Sequence, residues 1–396
     1  MLNSVELFSG AGGLALGLEL AGFNHKAVVE RDRWACDTVR ENQNRGFPLV
    51  RDWNLIEGDV RNVDFSGLAG NIDLVAGGPP CQPFSMGGKH RAHEDDRDMF
   101  PAAVDVVRQL EPRAFIIENV KGLTRAGFKN YFRYIVLQFE FPEIRKEPNE
   151  DWVCHLARLE RKKTSGVHNG LTYEVLWKVI NAADHGVAQK RERVFFVGFR
   201  HDLGIRWSFP QETHSYDALV ASQWITGDYW ERHKVSRKAI PPIPERLRRR
   251  IEYLRSSNSK PYGDFKEWTT VRDVITGLPD PEENSEAESG FFNHRFQPGA
   301  KVYPGHTGSP LDLPAKTLKA GDHGVPGGEN MLVKTDGSVR YFTIRESARL
   351  QGFPDGYVFH GSWTETMRQL GNAVPMTLAH LIGASVAEEL LEATQR

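Results

Sequence analysis

The sequence predicts an α/β fold, with a doubly wound parallel sheet in residues 1–200 and a smaller domain of irregular composition in residues 201–338. Three observations support this prediction. Short apolar runs alternate with helical patterns up to about residue 199, as they do in βαβ units. Beyond residue 200 this alternation is replaced by scattered aromatic residues, prolines and blocks of charge. An apolar pattern returns near Tyr341, so residues 339–396 are expected to rejoin the first domain.

Each predicted element has its own signal in the sequence. Apolar runs predict strands at residues 5–8, 27–30, 55–57, 73–76, 114–118, 171–179 and 193–199. Apolar residues at helical spacing predict helices at residues 14–21, 34–42 and 377–391. Ligands of doubly wound sheets bind at the carboxyl ends of the strands. We therefore expect a site built from residues that follow the strands.

Composition excludes several classes of protein. The 396 residues include 50 Lys+Arg and 52 Asp+Glu, a net charge of −2, which argues against binding nucleic acid by bulk positive charge but allows a local basic cleft. The cysteines Cys36, Cys81 and Cys154 include no Cys-x-x-Cys pair, so neither a disulfide framework nor a thiolate zinc site is expected. The sequence shows no membrane span and no signal-peptide pattern, and a cytoplasmic protein is predicted.

A glycine-rich turn follows the first predicted strand. Residues 8–13 read FSGAGG, and glycines there let a ligand approach the backbone at a helix N-terminus. The G-x-G-G spacing differs from the G-x-G-x-x-G of dinucleotide sites, so dinucleotide binding is poorly supported. Glu30 ends the second strand and suits a ribose diol, and Asp59 ends the third and could accept from an adenine amino group. A purely structural turn is the alternative, because many strand–helix turns need positive φ.

The segment GGPPCQPFS, residues 77–85, follows the fourth predicted strand. Its prolines stiffen the approach to Cys81 and its glycines leave space for a ligand. A buried cysteine is usually an inert apolar residue, but a polar loop at the end of a parallel strand favours a reactive one. Because a free thiol has a pKa of about 8.5, a nucleophilic role requires local activation.

Two charged segments are predicted to lie at the same edge of the sheet. Glu118 ends the fifth predicted strand, and a carboxyl group with a raised pKa could donate a proton to a ring nitrogen there. The segment QKRER, residues 189–193, precedes another strand, and alternation would point Arg191 and Arg193 to one side. A strand-end cap and an ordinary solvated face are the respective alternatives.

These segments resemble, in the same order, the motifs of the DNA (cytosine-5)-methyltransferases of the bacterial restriction–modification type. The matching motifs are the first cofactor motif, the catalytic loop, the glutamate and arginine motifs and two C-terminal motifs: ELFSGAGG (6–13), GGPPCQPFS (77–85), ENV (118–120), QKRERVFFVG (189–198), RESARLQGFPD (345–355) and QLGNAVP (369–375). The resemblance covers about residues 1–200 and 341–396, and it leaves the middle for a target-recognition domain. Glu6 stands where many members of the family carry Asp.

The resemblance implies a Rossmann-like methyltransferase fold that uses S-adenosylmethionine and releases S-adenosylhomocysteine, with no metal. The substrate would be a cytosine flipped out of a short, specific sequence of double-stranded DNA. Cys81 would attack C6 of the base, Glu118 would hold or protonate N3, and Arg193 would contact O2. Arg191 would support the catalytic loop. The base that removes the C5 proton is not identified by the sequence.

Binding residues are also implied by the resemblance. Phe8 would stack on adenine, Glu30 would bind the ribose, and Asp59 would bind the adenine amine. The glycine turn, the catalytic loop and the C-terminal segment would supply the other cofactor residues: Gly10, Ala11, Gly12, Gly13, Leu14, Pro80, Asn372 and Val374. DNA would be contacted by the catalytic loop and by a segment (313–324) that resembles the Thr-Leu segment of recognition domains, through Gln82, Ser85, Lys316, Thr317 and Lys319. Arg345 and Glu346 would act as scaffold.

Several alternatives stay open at the level of sequence. A tRNA cytosine-5 methyltransferase of the same fold is one, although the long middle segment favours duplex DNA. A non-catalytic DNA-binding regulator has no need of Cys81 beside Glu118, and a nicotinamide oxidoreductase fits the glycine turn poorly. The arginine run 246–250 could contact phosphate or form a solvated helix face. A monomer is expected, paired functionally with a cognate restriction endonuclease but without a stable complex.

Overall fold

The computed structural model of the chain describes residues 1–80, 98–167, 169–256, 262–320 and 330–395. The chain divides into two units. The sheet unit comprises Met1–Ile180, Glu192–Pro210 and Gly356–Arg396, and the second unit comprises Asn181–Arg191 and Gln211–Asp355.

Strands occur in both units. The sheet unit contains β1 (Leu2–Leu7), β2 (Phe23–Glu30), β3 (Leu55–Glu57), β4 (Leu74–Gly77), β5 (Ala114–Val120), β6 (Tyr173–Asn181) and β7 (Glu192–Arg200). The second unit contains β8 (His214–Ser215), β9 (Lys266–Glu267), β10 (Ser309–Pro310), β11 (Met331–Val333) and β12 (Val339–Tyr341).

Helices in chain order are α1 (Gly13–Leu20), α2 (Arg33–Asn44), α3 (Phe100–Leu110), α4 (Lys129–Glu140), α5 (Trp152–Ser165), α6 (Tyr216–Ala221), α7 (Asp228–Arg232), α8 (Arg248–Ser256), α9 (Val271–Ile275), α10 (Glu286–Ser289), α11 (Ile344–Leu350), α12 (Trp363–Asn372) and α13 (Met376–Gln395). Helices α6 to α11 belong to the second unit and the others to the sheet unit. The local sequence explains their ends: the Asp32 carboxylate accepts the Ala35 N–H at 3.1 Å and so caps α2.

The large sheet has the strand order β3-β2-β1-β4-β5-β7-β6. Strand β1 pairs in parallel with β2 and with β4, and the pairs β2–β3 and β4–β5 are also parallel. Strands β2 and β3 therefore lie on one side of β1, and β4 and the later strands of the sheet lie on the other side. The strand order reverses between β1 and β4, which is where doubly wound sheets leave a crevice for ligands.

Strand β7 departs from the parallel arrangement that is typical of βαβ units. This strand runs antiparallel to β5, with Glu118 opposite Phe195. The connection explains the difference. Strands β6 and β7 are neighbours joined by residues 182–191, which form only a short 3-10 turn and an extended segment, and a parallel crossover needs about a dozen residues or more, usually with a helix.

The last helix packs closely on the first. A Cβ atom at Gly17 of α1 would lie 2.5 Å from Ala379 Cβ of α13, so glycine is required for this approach. By length and composition alone, the helical run Trp363–Gln395 could cross a membrane. However, 67% of its most apolar stretch is buried inside the protein. The packing on α1 is that of a core helix.

The second unit begins before residue 201 and extends beyond residue 338. Its first segment is attached by backbone pairing, because the Lys190 N–H donates to the Ala315 carbonyl at 2.8 Å. Its end is attached by the antiparallel pair β11–β12, in which Met331 faces Tyr341. These pairings are not visible in the composition of the chain, and they assign residues 181–191 and 339–355 to the second unit.

Candidate active site

A cavity of about 810 Å³ opens at the carboxyl edge of the large sheet. Its wall is formed mainly by residues that follow successive strands and by the end of α12: Phe8, Ser9, Gly10, Leu14, Glu30, Arg31, Asp32, Gly58, Asp59, Gly78, Pro79, Pro80, Glu118, Arg193, Gly371, Asn372, Ala373 and Val374. The cavity thus lies at the reversal of strand order, between β1 and β4.

The glycine turn has an unusual backbone. Phe8 has φ 56°, a left-handed conformation that is rare for a bulky residue, and Gly10 and Gly12 have φ 54° and 88°. Such strain persists where the surroundings impose it, and it is common at ligand sites. Close packing imposes a further limit, since a Cβ atom at Gly13 would lie 2.4 Å from the Val374 carbonyl oxygen. The turn therefore serves packing as well as the cavity.

Glu30 is held in place by three backbone N–H groups. Its Oε2 accepts from Gly10 at 2.7 Å, and its Oε1 accepts from Arg31 at 2.7 Å and from Asp32 at 2.6 Å. Burial raises the pKa of Glu30 from its ordinary value, and the three donors counteract that rise. Because a carboxylate oxygen has two lone pairs, Oε2 keeps one acceptor position on the cavity wall.

Asp59 is bound mainly by Arg61. Its Oδ1 accepts from Arg61 Nε at 3.0 Å and its Oδ2 from Arg61 Nη2 at 2.7 Å. The hydrogen bonds from Arg61 are the main cause of the lowering of the Asp59 pKa to about 2. The Asp59 carboxylate is therefore ionised at the cavity wall, with one lone pair of Oδ2 left for a further donor.

Glu6 is a charged residue in the middle of a buried strand. It is 1% exposed and lines the cavity. Neither carboxyl oxygen has a hydrogen-bond partner within the described part of the protein. Burial accordingly raises the pKa of Glu6 well above its ordinary value. A buried carboxyl group without a protein donor is available to a ligand that supplies one.

Glu118 and Arg193 form an ion pair on the cavity wall. Glu118 Oε1 lies 2.8 Å from Arg193 Nε, with side-chain exposures of 9% and 13%. Burial lowers the pKa of Arg193, and the charge of Glu118 counteracts that effect. The next residue, Asn119, donates to the Pro79 carbonyl at 2.9 Å and so ties β5 to the segment that follows β4. Glu118 lies inside β5, two residues before its end.

The sequence matches the C-5 cytosine-specific DNA methylase family over residues 2–142 and 161–388. The chain belongs to this family. It is a DNA cytosine methyltransferase, as its motifs predicted, and the predicted doubly wound α/β fold class is confirmed.

Curated relatives resemble this methylase along nearly its whole length. The Type II methyltransferase M.NgoMIV of Neisseria gonorrhoeae is 29% identical over 397 residues, which cover 98% of each chain. The Type II methyltransferase M.PspPI of a Psychrobacter strain is 32% identical, over 98% of this chain and 79% of that protein.

Solved structures of similar fold include a prophage-encoded DNA modification methyltransferase of E. coli, with a TM-score of 0.57 at 22% identity over 99% of this chain and 100% of that one. The Dnmt2 methyltransferase of S. pombe has a TM-score of 0.54 at 17% identity over the full length of both chains. These similarities support the fold.

Most predicted cofactor residues of the methylase lie together. Phe8, Gly10, Leu14, Glu30, Asp59, Pro80, Asn372 and Val374 line the cavity. Ala11 and Gly12 lie in the glycine turn and Gly13 begins α1, and the Ala11 carbonyl accepts from the buried Tyr357 hydroxyl at 2.8 Å. The described residues include no group of three or more His, Cys, Asp or Glu side chains placed to hold a metal ion.

Cys81, Gln82 and Ser85 lie outside the described residues. The residue before them in the chain, Pro80, lines the cavity. The other cysteines are poor nucleophiles. Burial, together with nearby acidic groups, raises the pKa of Cys36 to about 12, and a hydrogen bond with Asp151 is the main cause of the raised pKa of Cys154.

Arg191 is fully buried in the second unit, where its guanidinium donates to the Leu318 carbonyl at 3.2 Å. Its neighbour Glu192 is exposed, as alternation along an extended segment predicts. Support of the catalytic loop by Arg191 stays a prediction.

The predicted DNA-contact segment lies near this arginine. Thr317 donates through its hydroxyl to the Lys190 carbonyl at 2.6 Å. Lys316 Nζ donates to the Thr307 hydroxyl at 2.6 Å, and the Lys319 N–H donates to Asn330 Oδ1 at 3.0 Å. These three residues belong to the second unit.

Some cavity residues were missed by sequence reasoning. Besides Glu6, the wall includes Trp34, whose ring stacks on His360, and Arg368, whose Nη1 lies 2.8 Å from Asp32 Oδ2. A glutamate between Val5 and Leu7 in a buried strand is a detectable signal, because buried carboxylates are rare. Trp34 and Arg368 carry no such signal, since only the fold brings α2 and α12 together.

Proposed function

We propose that this methylase transfers a methyl group from S-adenosylmethionine to C5 of a cytosine flipped out of a short, specific duplex DNA sequence. The transfer uses a covalent bond between Cys81 and C6 of the base. The observation that carries the proposal is the cavity, whose wall combines the glycine turn and Glu30 with the Glu118–Arg193 pair. The relatives named Type II methyltransferases support a cytoplasmic role in protecting host DNA beside a restriction endonuclease.

The cavity fits the chemistry of the methyl donor. Glu30 offers an oriented acceptor to the ribose diol, and Phe8 and Trp34 offer aromatic faces to adenine. Glu6 suits the ammonium group of the methionine part, because its buried carboxyl oxygens have no protein donor. When bound, S-adenosylmethionine supplies an electrophilic methyl group attached to a sulfonium sulfur.

The Glu118–Arg193 pair suits one edge of cytosine. O2 and N3 are neighbouring atoms of the ring, and the pair presents a guanidinium donor and a carboxyl group 2.8 Å apart. Arg193 donates to O2, and Glu118 holds N3 and stabilises its protonated form. Both groups are largely buried, which strengthens such hydrogen bonds. The tie from Asn119 to Pro79 keeps this edge next to the segment that leads to Cys81.

Cys81 is the nucleophile in this scheme. Its thiolate adds to C6, the C5=C6 electron pair becomes available at C5, and a proton on N3 held by Glu118 stabilises the adduct. C5 then forms a bond to the methyl carbon, whose bond to sulfur breaks. A base takes the C5 proton, and elimination of the Cys81 thiolate restores the ring. Covalent catalysis of this kind replaces one difficult displacement by easier steps.

Methylation of plasmid DNA tests the proposal. Purified protein is incubated with plasmid and the labelled methyl donor, and the modified cytosines are located by bisulfite conversion. We expect label in the DNA at one short recurring sequence. The same protein, mixed with the methyl donor and duplex DNA containing 5-fluorocytosine, should form a stable covalent complex, because after methyl transfer fluorine at C5 cannot leave as a cation.

Two cysteine variants localise the chemistry. Cys81→Ser should abolish turnover and adduct formation, whereas Cys154→Ser, a matched change at an exposed thiol, should keep both. The DNA-methylation proposal would be overturned if the plasmid took up no label. The same holds if tRNA, incubated in the same way, took up label while the plasmid did not. An adduct that mapped to Cys36 or Cys154 would overturn the role of Cys81.

A further inference from the structure

Two cations of the second unit lie within electrostatic reach of each other, and neither has an acidic partner among the residues that the structure describes. Lys190 is exposed, and its Nζ lies 5.4 Å from the Tyr216 ring centroid and 5.1 Å from that of Trp268. Arg246 lies on the turn Glu245–Leu247, before α8. Among the residues that the structure describes, no carboxylate lies within ion-pair distance of either cation.

Lys190 is held at a defined position. Its N–H donates to the Ala315 carbonyl at 2.8 Å, and its carbonyl accepts the Thr317 hydroxyl at 2.6 Å. The Trp268 ring beneath the ammonium is fixed by its own N–H, which donates to Asp184 Oδ1 at 2.8 Å. Aromatic faces attract a cation without neutralising its charge, so the ammonium can still donate to an anion.

Arg246 is brought to the same place by apolar packing. The next residue, Leu247, is buried in a cluster that also contains Tyr216, one of the two rings that contact Lys190. The charge of Arg246 adds to partial burial in lowering the pKa of Lys190, which shows that the two cations lie within electrostatic reach. Two like charges in such proximity repel each other, and an anion between them relieves that repulsion.

The neighbouring arginines are different. Arg248 lies 2.8 Å from Glu245 Oε2, and Arg250 donates to Asp217 Oδ1 at 2.8 Å. Within the run, Arg248 and Arg250 are therefore paired with acids, whereas Arg246 and Arg249 have no acidic partner among the described residues. Of these two, only Arg246 contributes to the lowered pKa of Lys190, which places it within electrostatic reach of that ammonium.

We infer that Lys190 and Arg246, with the adjacent Thr317, form a surface that binds phosphates of duplex DNA during methylation, an inference that rests on the proposed function. The net charge of −2 argues against bulk attraction, so a DNA-binding protein of this composition needs local cation clusters. Phosphate contacts of this kind position a protein on DNA without selecting its sequence.

The salt dependence of DNA binding tests the inference. The probe is a fluorescent duplex oligonucleotide of mixed sequence, titrated at salt concentrations from about 50 to 200 mM. The variants are Lys190→Met, which keeps the aliphatic stem on the rings, Arg246→Gln, and the double variant. Arg248→Gln and Arg250→Gln are matched controls on the same run, and thermal unfolding checks that every variant is folded.

Removing one phosphate-binding cation should make the plot of log affinity against log salt less steep by about 0.9, and the double variant should show about twice that change. The KM for plasmid should rise in parallel. The inference would be overturned if the folded Lys190 and Arg246 variants kept the wild-type slope of log affinity against log salt. It would also be overturned if the Arg248 and Arg250 controls changed that slope by the same amount. Weakened binding of tRNA with unchanged binding of duplex DNA would also overturn it. Failure of the proposed function can be distinguished from failure of this inference, because in the first case the wild-type protein would leave plasmid unmethylated.

Discussion

Each unit buries an arginine–glutamate pair, and the two pairs differ in what surrounds them. In the second unit, Arg340 donates to Glu346 through two hydrogen bonds of 2.7 and 2.6 Å, and the Thr343 N–H donates to the same carboxylate at 2.9 Å. In the sheet unit, Glu118 and Arg193 lie 2.8 Å apart and both line the cavity.

This difference predicts a structural role for the enclosed pair and a functional role for the pair on the cavity wall. In a pair enclosed by the protein's own donors, removing one partner leaves a buried charge without compensation, which destabilises the fold. A pair on a cavity wall is available to a substrate. Burial and chemical type are alike in the two cases, so only the surroundings predict whether a substitution reduces activity or stability.

The largest effect is expected at Glu118. Glu118→Gln keeps the shape of the side chain but cannot supply a carboxylate or an acidic proton, so we expect single-turnover methylation to slow by about 10²- to 10⁴-fold. Thermal stability should change little. Glu192→Gln is the matched control, because Glu192 is exposed and paired with Lys121. Equal activity of the two variants would contradict a catalytic role for Glu118.

A change at Arg340 should act on stability instead. Arg340→Met leaves Glu346 buried without its cation, and we expect a loss of about 3–5 kcal/mol in the free energy of unfolding, measured with denaturant. Arg250→Met removes an exposed pair and should cost about 0–1 kcal/mol. If Arg340→Met were as stable as the control, the enclosed pair would not be structural.

His25 is a buried histidine of the sheet unit. It tests whether a side chain enclosed by the protein's own hydrogen bonds affects stability in this unit as well as in the second one. His25 in the sheet unit donates to the Ala15 carbonyl at 2.9 Å and accepts from Ser4, and burial lowers its pKa to about 4. The unfolded chain takes up the proton first, so stability should be full above about pH 6.5 and fall by about 3 kcal/mol towards pH 4.

The measurement is the free energy of unfolding against pH for the wild-type protein and His25→Gln, which can keep both hydrogen bonds but does not titrate. The variant should show a shallower decline below about pH 6.5. Identical profiles would show that His25 is not the group responsible.

The smallest effect is expected at Glu6. Glu6→Gln should weaken binding of S-adenosylhomocysteine by a charge-assisted hydrogen bond, about 1.5–3 kcal/mol, measured by calorimetry. Since burial raises the pKa of Glu6 in the folded protein, this carboxyl group reduces stability as pH rises. The variant should therefore be no less stable than the wild type at neutral pH.

Glu57→Gln provides the comparison for this variant, because Glu57 ends β3 and is paired with Arg40 away from the cavity wall. It should bind the product normally. Normal binding by Glu6→Gln as well would contradict a role for Glu6 in holding the donor.

Much of the sheet unit could be predicted, and the reason is local. Strand β3 has the predicted bounds, and the other strands begin or end within a few residues of theirs, because a buried parallel strand is a continuous apolar run. The direction of β7 could not be predicted, since it depends on the connection through residues 182–191.

The sequence by itself determined the family, the fold class and the residues that follow each strand, because each of these rests on short segments whose chemistry is visible locally. The tertiary structure alone decided which charged groups have partners. Arg246 and Arg250 are alike in sequence, yet Asp217 reaches only Arg250, and Glu6 and Glu346 are both buried, yet only Glu346 has an arginine beside it. Charge pairing depends on segments distant in the chain, and only folding brings those segments together.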